Sequence, residues 1–231
     1  MSVNPDKFHS IIVNRCGRYP DLQKLNIAGS EINTEKIVQL LGIDIDYKLS
    51  FNKHISNLCK KSAGQLNAIC RMGKYIGEHE KEVLIQSFIQ ANFNYCPLVW
   101  FFSSPESLRK IERLQERALR ILYNDYVSNG KSLLEKAKKT TFLIKQHKSL
   151  AIEIFKTLND LNPVYMKDIF VKNEHPRNLR DNHRHQNDLE IPTYKAFTYG
   201  ECSLRVLGPK IWNALPSDLK MPILFMCLRN F

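Results

Sequence analysis

A chain of 231 residues with 43% hydrophobic side chains can bury a core, so disorder throughout is not expected. Its 34 Lys and Arg against 23 Asp and Glu leave a formal net charge of +11, which draws it towards polyanions such as nucleic acid or an acidic membrane face without choosing between them. Neither a signal sequence nor roughly 18 consecutive apolar residues can be found, so secretion and membrane insertion are unsupported and an intracellular protein is expected.

The positive charge is concentrated. Residues 51–150 hold 17 Lys and Arg and 8 Asp and Glu, which accounts for nine of the eleven net charges. The six cysteines (Cys16, Cys59, Cys70, Cys96, Cys202 and Cys227) are scattered without a C-x-x-C pair. They read as reduced, mostly buried small hydrophobes.

The first elements are short and β-like. FHSIIVN (8–14) is β-branched and aromatic, and LNIAGSEI (25–32) places a glycine turn between two extended segments. KIVQLLGIDID (36–46) reads as one further strand ending near Asp44 and Asp46. Together residues 1–50 predict a small antiparallel sheet.

Helical periodicity begins at Ser50. Phe51, Ile55, Leu58, Cys59, Ser62, Leu66, Ile69 and Cys70 recur every three or four residues, predicting a helix to about Ile76 with Ser50 or Asn52 as its cap. A second helix is predicted from Glu78, whose acidic first turn suits the helix dipole, to the break at Pro97. A third begins after Ser104-Pro105, carries Leu108, Ile111, Leu114, Ala118, Ile121 and Leu122 on one face, and ends near Asn124. Helices near 131–138 and 142–160 follow, and Asn162-Pro163 marks a break.

Residues 172–190 contain almost no apolar side chains and predict a polar linker. Structure resumes in SLRVLGPKIWNALPSDL (203–219), where Leu204, Val206, Leu207, Ile211, Trp212 and Leu215 can dock a turn or short helix. The expected class is α+β, mainly α: an N-terminal sheet (1–50), a helical bundle (51–171), the linker (172–190) and an irregular docking segment (191–231).

The clearest chemical feature is Arg109, Arg113, Arg117 and Arg120, spaced four, four and three along one side of the third helix. Such a rail matches successive backbone phosphates. Glu112 and Glu116 lie on the same helix, and Glu116 to Arg120 is a favourable i,i+4 pair, so a solvated, salt-bridged face is the competing explanation. Lys53, Lys60, Lys61, Arg71 and Lys74 give the first helix a similar excess, with Tyr75 nearby as a stacking group.

Other constellations are weaker. Asp44 and Asp46 share a strand face without a third ligand in view, which favours strand-end capping over a metal site. His183 and His185 form an H-x-H without two further zinc ligands at credible spacing. There is no G-x-S-x-G, P-loop or G-x-G-x-x-G and no cysteine-protease signature, so no catalytic residue, metal, cofactor or small-molecule substrate is expected.

NPDKFHSII (4–12), LLGIDIDYKLSFNKHI (40–55), ANFNYCPLVW (91–100), IERLQERALRILY (111–123) and GPKIWNALP (208–216) together resemble, in order and interval, the reverse transcriptase of non-LTR (LINE-type, jockey-like) retrotransposons. The resemblance implies that residues 1 to about 50 are the last strands of a palm, and that the helices from Phe51 onward are a thumb and C-terminal region. A thumb of this kind holds a template–primer duplex by its backbone.

In that family the metal-binding aspartates of a Tyr/Phe-Ala-Asp-Asp turn precede the segment that looks like NPDKF, and only Met1 to Val3 precede it here. The expectation is a fragment with no polymerase activity of its own, since nothing would hold two magnesium ions at the primer end. The implied partners are RNA or an RNA–DNA duplex, bound without sequence preference, and the remaining reverse transcriptase domains in trans. The alternative is an inactive relic or an α-helical protein-interaction module with no nucleic-acid role.

Overall fold

Alternating segments near the N-terminus fold as hairpins, and nearly everything periodic at three and four residues folds as helix. The computed structural model describes residues 7–13, 24–27, 29–101, 103–173, 188–195, 200, 203–216 and 220. The chain is α+β and mainly helical, and it divides into two units, Met1–Phe142 and Leu143–Phe231.

In the first unit, β1 (Lys24–Ile27) pairs antiparallel with β2 (Ser30–Asn33), from Lys24 opposite Asn33 to Ile27 opposite Ser30. This is the hairpin expected around Gly29. The stretch 36–46, expected as one strand, is instead a second hairpin of β3 (Ile37–Leu40) and β4 (Ile43–Asp46). Its two-residue turn places Leu41 (φ 49°) and Gly42 (φ 82°) in the left-handed region, as the mirror-image turns of tight hairpins require.

The expected single sheet is therefore two separate two-stranded sheets. Of FHSIIVN, Ser10 makes one isolated bridge to Thr34, and its carbonyl accepts from the Glu35 N–H at 2.7 Å. Asn14 lies outside the described residues.

The loop into the first helix is organised by the buried carboxylate of Asp46. It accepts from the N–H groups of Lys48 (3.0 Å), Ser50 (3.2 Å) and Phe51 (2.6 Å) and from the Ser50 hydroxyl (3.1 Å). Phe51 is thereby held at φ 55° as the cap of α1 (Asn52–Met72), and neither Ser50 nor Asn52 occupies that position.

The second predicted helix is a succession: α2 (Glu78–Leu84), a π-helical turn (Ile85–Gln90) and α3 (Ala91–Asn94). Cys96, in the left-handed region (φ 44°), interrupts the run, and Pro97 opens the short α4 (Pro97–Phe101). Helix α5 (Pro105–Tyr123) has the expected ends: the Ser104 hydroxyl accepts from the Ser107 N–H at 3.3 Å, and Asn124 closes it at φ 51°. Helix α6 (Gly130–Lys136) follows, capped by Asn129.

The core of this unit gathers Leu66 and Ile69 of α1, Ile85, Ile89 and Phe93 of the second helical run, Trp100, Ile111 and Leu122. Phe93 meets the Phe142 ring at 4.9 Å and the Trp100 ring edge-on at 6.1 Å. Buried Gln115 donates to the Thr140 carbonyl (2.9 Å) and accepts from the Phe142 N–H (3.0 Å), tying that connection to α5.

Helix α7 (Phe142–Leu158) begins on the last residue of the first unit, and the second holds the rest of it, a 3₁₀ turn (Val164–Ile169) and α8 (Leu204–Asn213). Ile154, Phe170, Leu189, Val206 and Trp212 are buried in it. Gly208 is required by packing, because a Cβ there would stand 2.6 Å from the Phe170 ring.

The ends of the segment expected as a polar linker are paired: Lys172 bridges Leu189, which is buried and held by the Asn213 side chain through both its N–H (2.8 Å) and its carbonyl (2.9 Å). Residues 174–187, with His183 and His185, lie outside the described residues, as do Cys16, Cys202 and Cys227. Cys59 is half-buried, but Cys70 and Cys96 are exposed, contrary to the expectation of mostly buried thiols. Among the described residues no helix is long and apolar enough to cross a membrane.

Candidate nucleic-acid interface

The site begins with how α1 and α5 meet. Their apolar stripes turn Leu66, Ile69, Ile111 and Leu122 into one core, and the residues just above that contact line an open groove of about 440 Å³. From α1 it takes Ser56, Cys59, Lys60 and Ala63, and from α5 Lys110, Arg113, Leu114 and Arg117. Cys59, Ala63 and Leu114 supply apolar surface, the four cations supply charge, and no carboxylate lines it.

Two pairings give the groove its direction. Cys59 and Lys110 both line it, and further along the Arg117 guanidinium donates to the Asn67 side-chain oxygen. Rising residue numbers on α1 thus meet rising numbers on α5, and the helices run the same way. Burial pushes the Cys59 thiol up, with Lys110 partly opposing it, which disfavours the thiolate.

The structure divides the predicted residues. Lys60, Arg113 and Arg117 come together at the groove, all on exposed positions. Arg109 is exposed on α5, and Lys61 and Arg71 on α1, but none of the three lines the groove; Lys74 follows α1 in a turn. Arg120 is drawn away: it is half-buried, pairs with Glu116 at 2.6 Å and donates to the Tyr126 carbonyl at 3.4 Å. The rail is thus two arginines at a groove, one on open surface and one in the ion pair its spacing foretold.

Lys110 was missed. Its i,i+4 relation to Glu106 reads as a neutralised surface pair, and the two do pair at 2.8 Å. The hydrogen bond from Lys110, followed by its charge, holds the Glu106 carboxyl below its ordinary range. Glu106 does not line the groove, so Lys110 still presents charge there. The sequence signal was available in the stripe Lys110, Arg113, Leu114, Arg117, which faces one side of a helix.

The acidic pair is accounted for locally. Asp46 organises the loop into α1, and Asp44 accepts from the Asn57 amide at 2.9 Å while its own N–H donates to His54 Nδ1 at 3.3 Å. The Asp46 carboxylate thus caps the end of β4, while that of Asp44 ties the strand to α1. Among the described residues no group of three or more His, Cys, Asp or Glu converges as a metal site.

Comparison of the chain with protein-family models, with curated proteins and with solved structures returns no match.

Proposed function

We propose that the α1–α5 groove binds the sugar–phosphate backbone of RNA or an RNA–DNA duplex without reading sequence, as the thumb-like portion of a non-LTR retrotransposon reverse transcriptase. The observation that carries this is the convergence of Lys60, Lys110, Arg113 and Arg117, from two helices, on one groove without a lining carboxylate. Ammonium and guanidinium groups so placed match phosphates as point charges and as forks, and supply an affinity that falls with salt. The reading assigns these residues to holding nucleic acid and gives them no part in bond making.

Filter binding to an RNA–DNA duplex at two salt concentrations tests it. The parent chain is expected to be retained strongly at low salt and weakly at high salt. The Arg113→Glu/Arg117→Glu double variant is expected to lose about tenfold or more in affinity and to show a shallower salt slope. Equal retention of variant and parent removes the groove from consideration.

A further inference from the structure

We infer that Tyr75, preceded by Arg71 and Lys74, forms a stacking station for an unpaired nucleobase beyond the end of the α1–α5 groove. The inference rests on the backbone-binding reading of that groove and adds to it a class of ligand, single-stranded nucleic acid.

The groove itself has no aromatic side chain among its lining residues. It can hold a backbone, but a base leaving a duplex would find no ring there. Sites for single strands combine a basic track with aromatic faces, on which each stacked base contributes affinity whatever its identity.

Tyr75 follows the C-terminal end of α1. Because α1 and α5 run the same way, the groove passes from Lys60 and Lys110 to Arg117 and Asn67, and Arg71 stands one turn further on the same side of α1. The eleven positions from Lys60 to Arg71 span about 16 Å at the helical rise, or roughly five stacked nucleotides of one strand.

The helix then stops at Met72, and the Gly73 N–H closes on the Cys70 carbonyl at 3.2 Å. The Tyr75 N–H donates to the Met72 carbonyl at 2.8 Å, so its backbone is held by a turn. Its side chain is 87% exposed and, among the described residues, makes no ring or cation contact, so packing does not explain its presence. Arg71 and Lys74, which precede it and are both exposed, suit the phosphates that accompany a base.

The test uses the full chain and a single-stranded RNA of about a dozen nucleotides carrying 2-aminopurine, beside a blunt RNA–DNA duplex. With the single strand, the parent is expected to quench the 2-aminopurine. Tyr75→Ala is expected to abolish the quench and weaken binding about tenfold, with the salt slope unchanged. Tyr75→Phe, which keeps the ring, should bind as the parent does, and blunt-duplex binding should not respond to either change.

Full single-strand affinity in Tyr75→Ala, or equal loss on both nucleic acids, overturns the stacking station. So does equal loss in Tyr75→Ala and Tyr75→Phe, which would point to the hydroxyl or to a protein contact. The Arg113→Glu/Arg117→Glu variant separates the two proposals: if it weakens duplex binding while Tyr75→Ala does nothing, the groove stands and the station falls.

Discussion

Helix α5 has two faces held in place by different physics. On one, Ile111, Leu114, Gln115, Ala118, Ile121 and Leu122 are buried against α1, the aromatic cluster and the 140–142 connection. On the other, Lys110, Arg113 and Arg117 stand in water, and their meaning comes from Lys60 and Asn67 across the groove. The buried face is specified by shape and is costly to alter. The charged face lies outside the core and is defined by what lies opposite it.

Ile111→Ala probes that contrast most strongly. With the side chain almost wholly buried, its removal leaves a cavity and is expected to destabilise the first unit by about 2–5 kcal/mol, read by denaturant or thermal unfolding. The Arg113→Glu/Arg117→Glu variant should change unfolding by less than about 0.5 kcal/mol while losing duplex affinity. Were the arginine variant the one to unfold, the division between the faces would be wrong.

A smaller effect sharpens the same contrast at the other end of α1. Asp46 is a charge turned inward, and its carboxylate serves three N–H groups and a hydroxyl. Asp46→Ala leaves those donors unmet and releases Phe51 from its left-handed conformation, with an expected loss of about 2 kcal/mol. Duplex affinity should be unaffected, because Asp46 does not line the groove. A loss of affinity without a loss of stability would place this carboxylate in the binding site instead.

What could be foreseen from the residues follows the same line. The ends and apolar face of α5 were legible because Ser104, Pro105 and Asn124 act locally and the 3.6-residue period repeats for five turns. The hairpin of β3 and β4 was not, since Leu41 and Gly42 interrupt a run of apolar residues with the weakest of turn signals and only one glycine. The cap of α1 was misplaced because it depends on Asp46, five residues earlier, reaching into the loop.

The site was half legible for a related reason. Arginine spacing locates one side of a helix, but only the α1 partner shows that Arg113 and Arg117 face a groove while Arg120 is taken by Glu116. Lys110, hidden behind its pairing with Glu106, needed the same information. No local pattern encodes which helix lies alongside.

The smallest expected effect concerns His54, where a titrating group is packed between β4 and α1. Its side chain is 12% exposed, and its Nδ1 accepts the Asp44 N–H, a role the imidazolium cannot fill. Burial holds its pKa below the ordinary histidine value, against the opposing pull of the Asp44 carboxylate at 4.0 Å. A group depressed in the folded state binds its proton more readily when unfolded. Its contribution is therefore full above about pH 6.5 and is lost as the pH falls towards the folded value. Stability measured between pH 7.5 and pH 5.5 should decline in the parent and decline less in His54→Gln. Identical slopes would mean that the imidazole accommodates its proton in place, by turning away from the Asp44 N–H and towards its carboxylate.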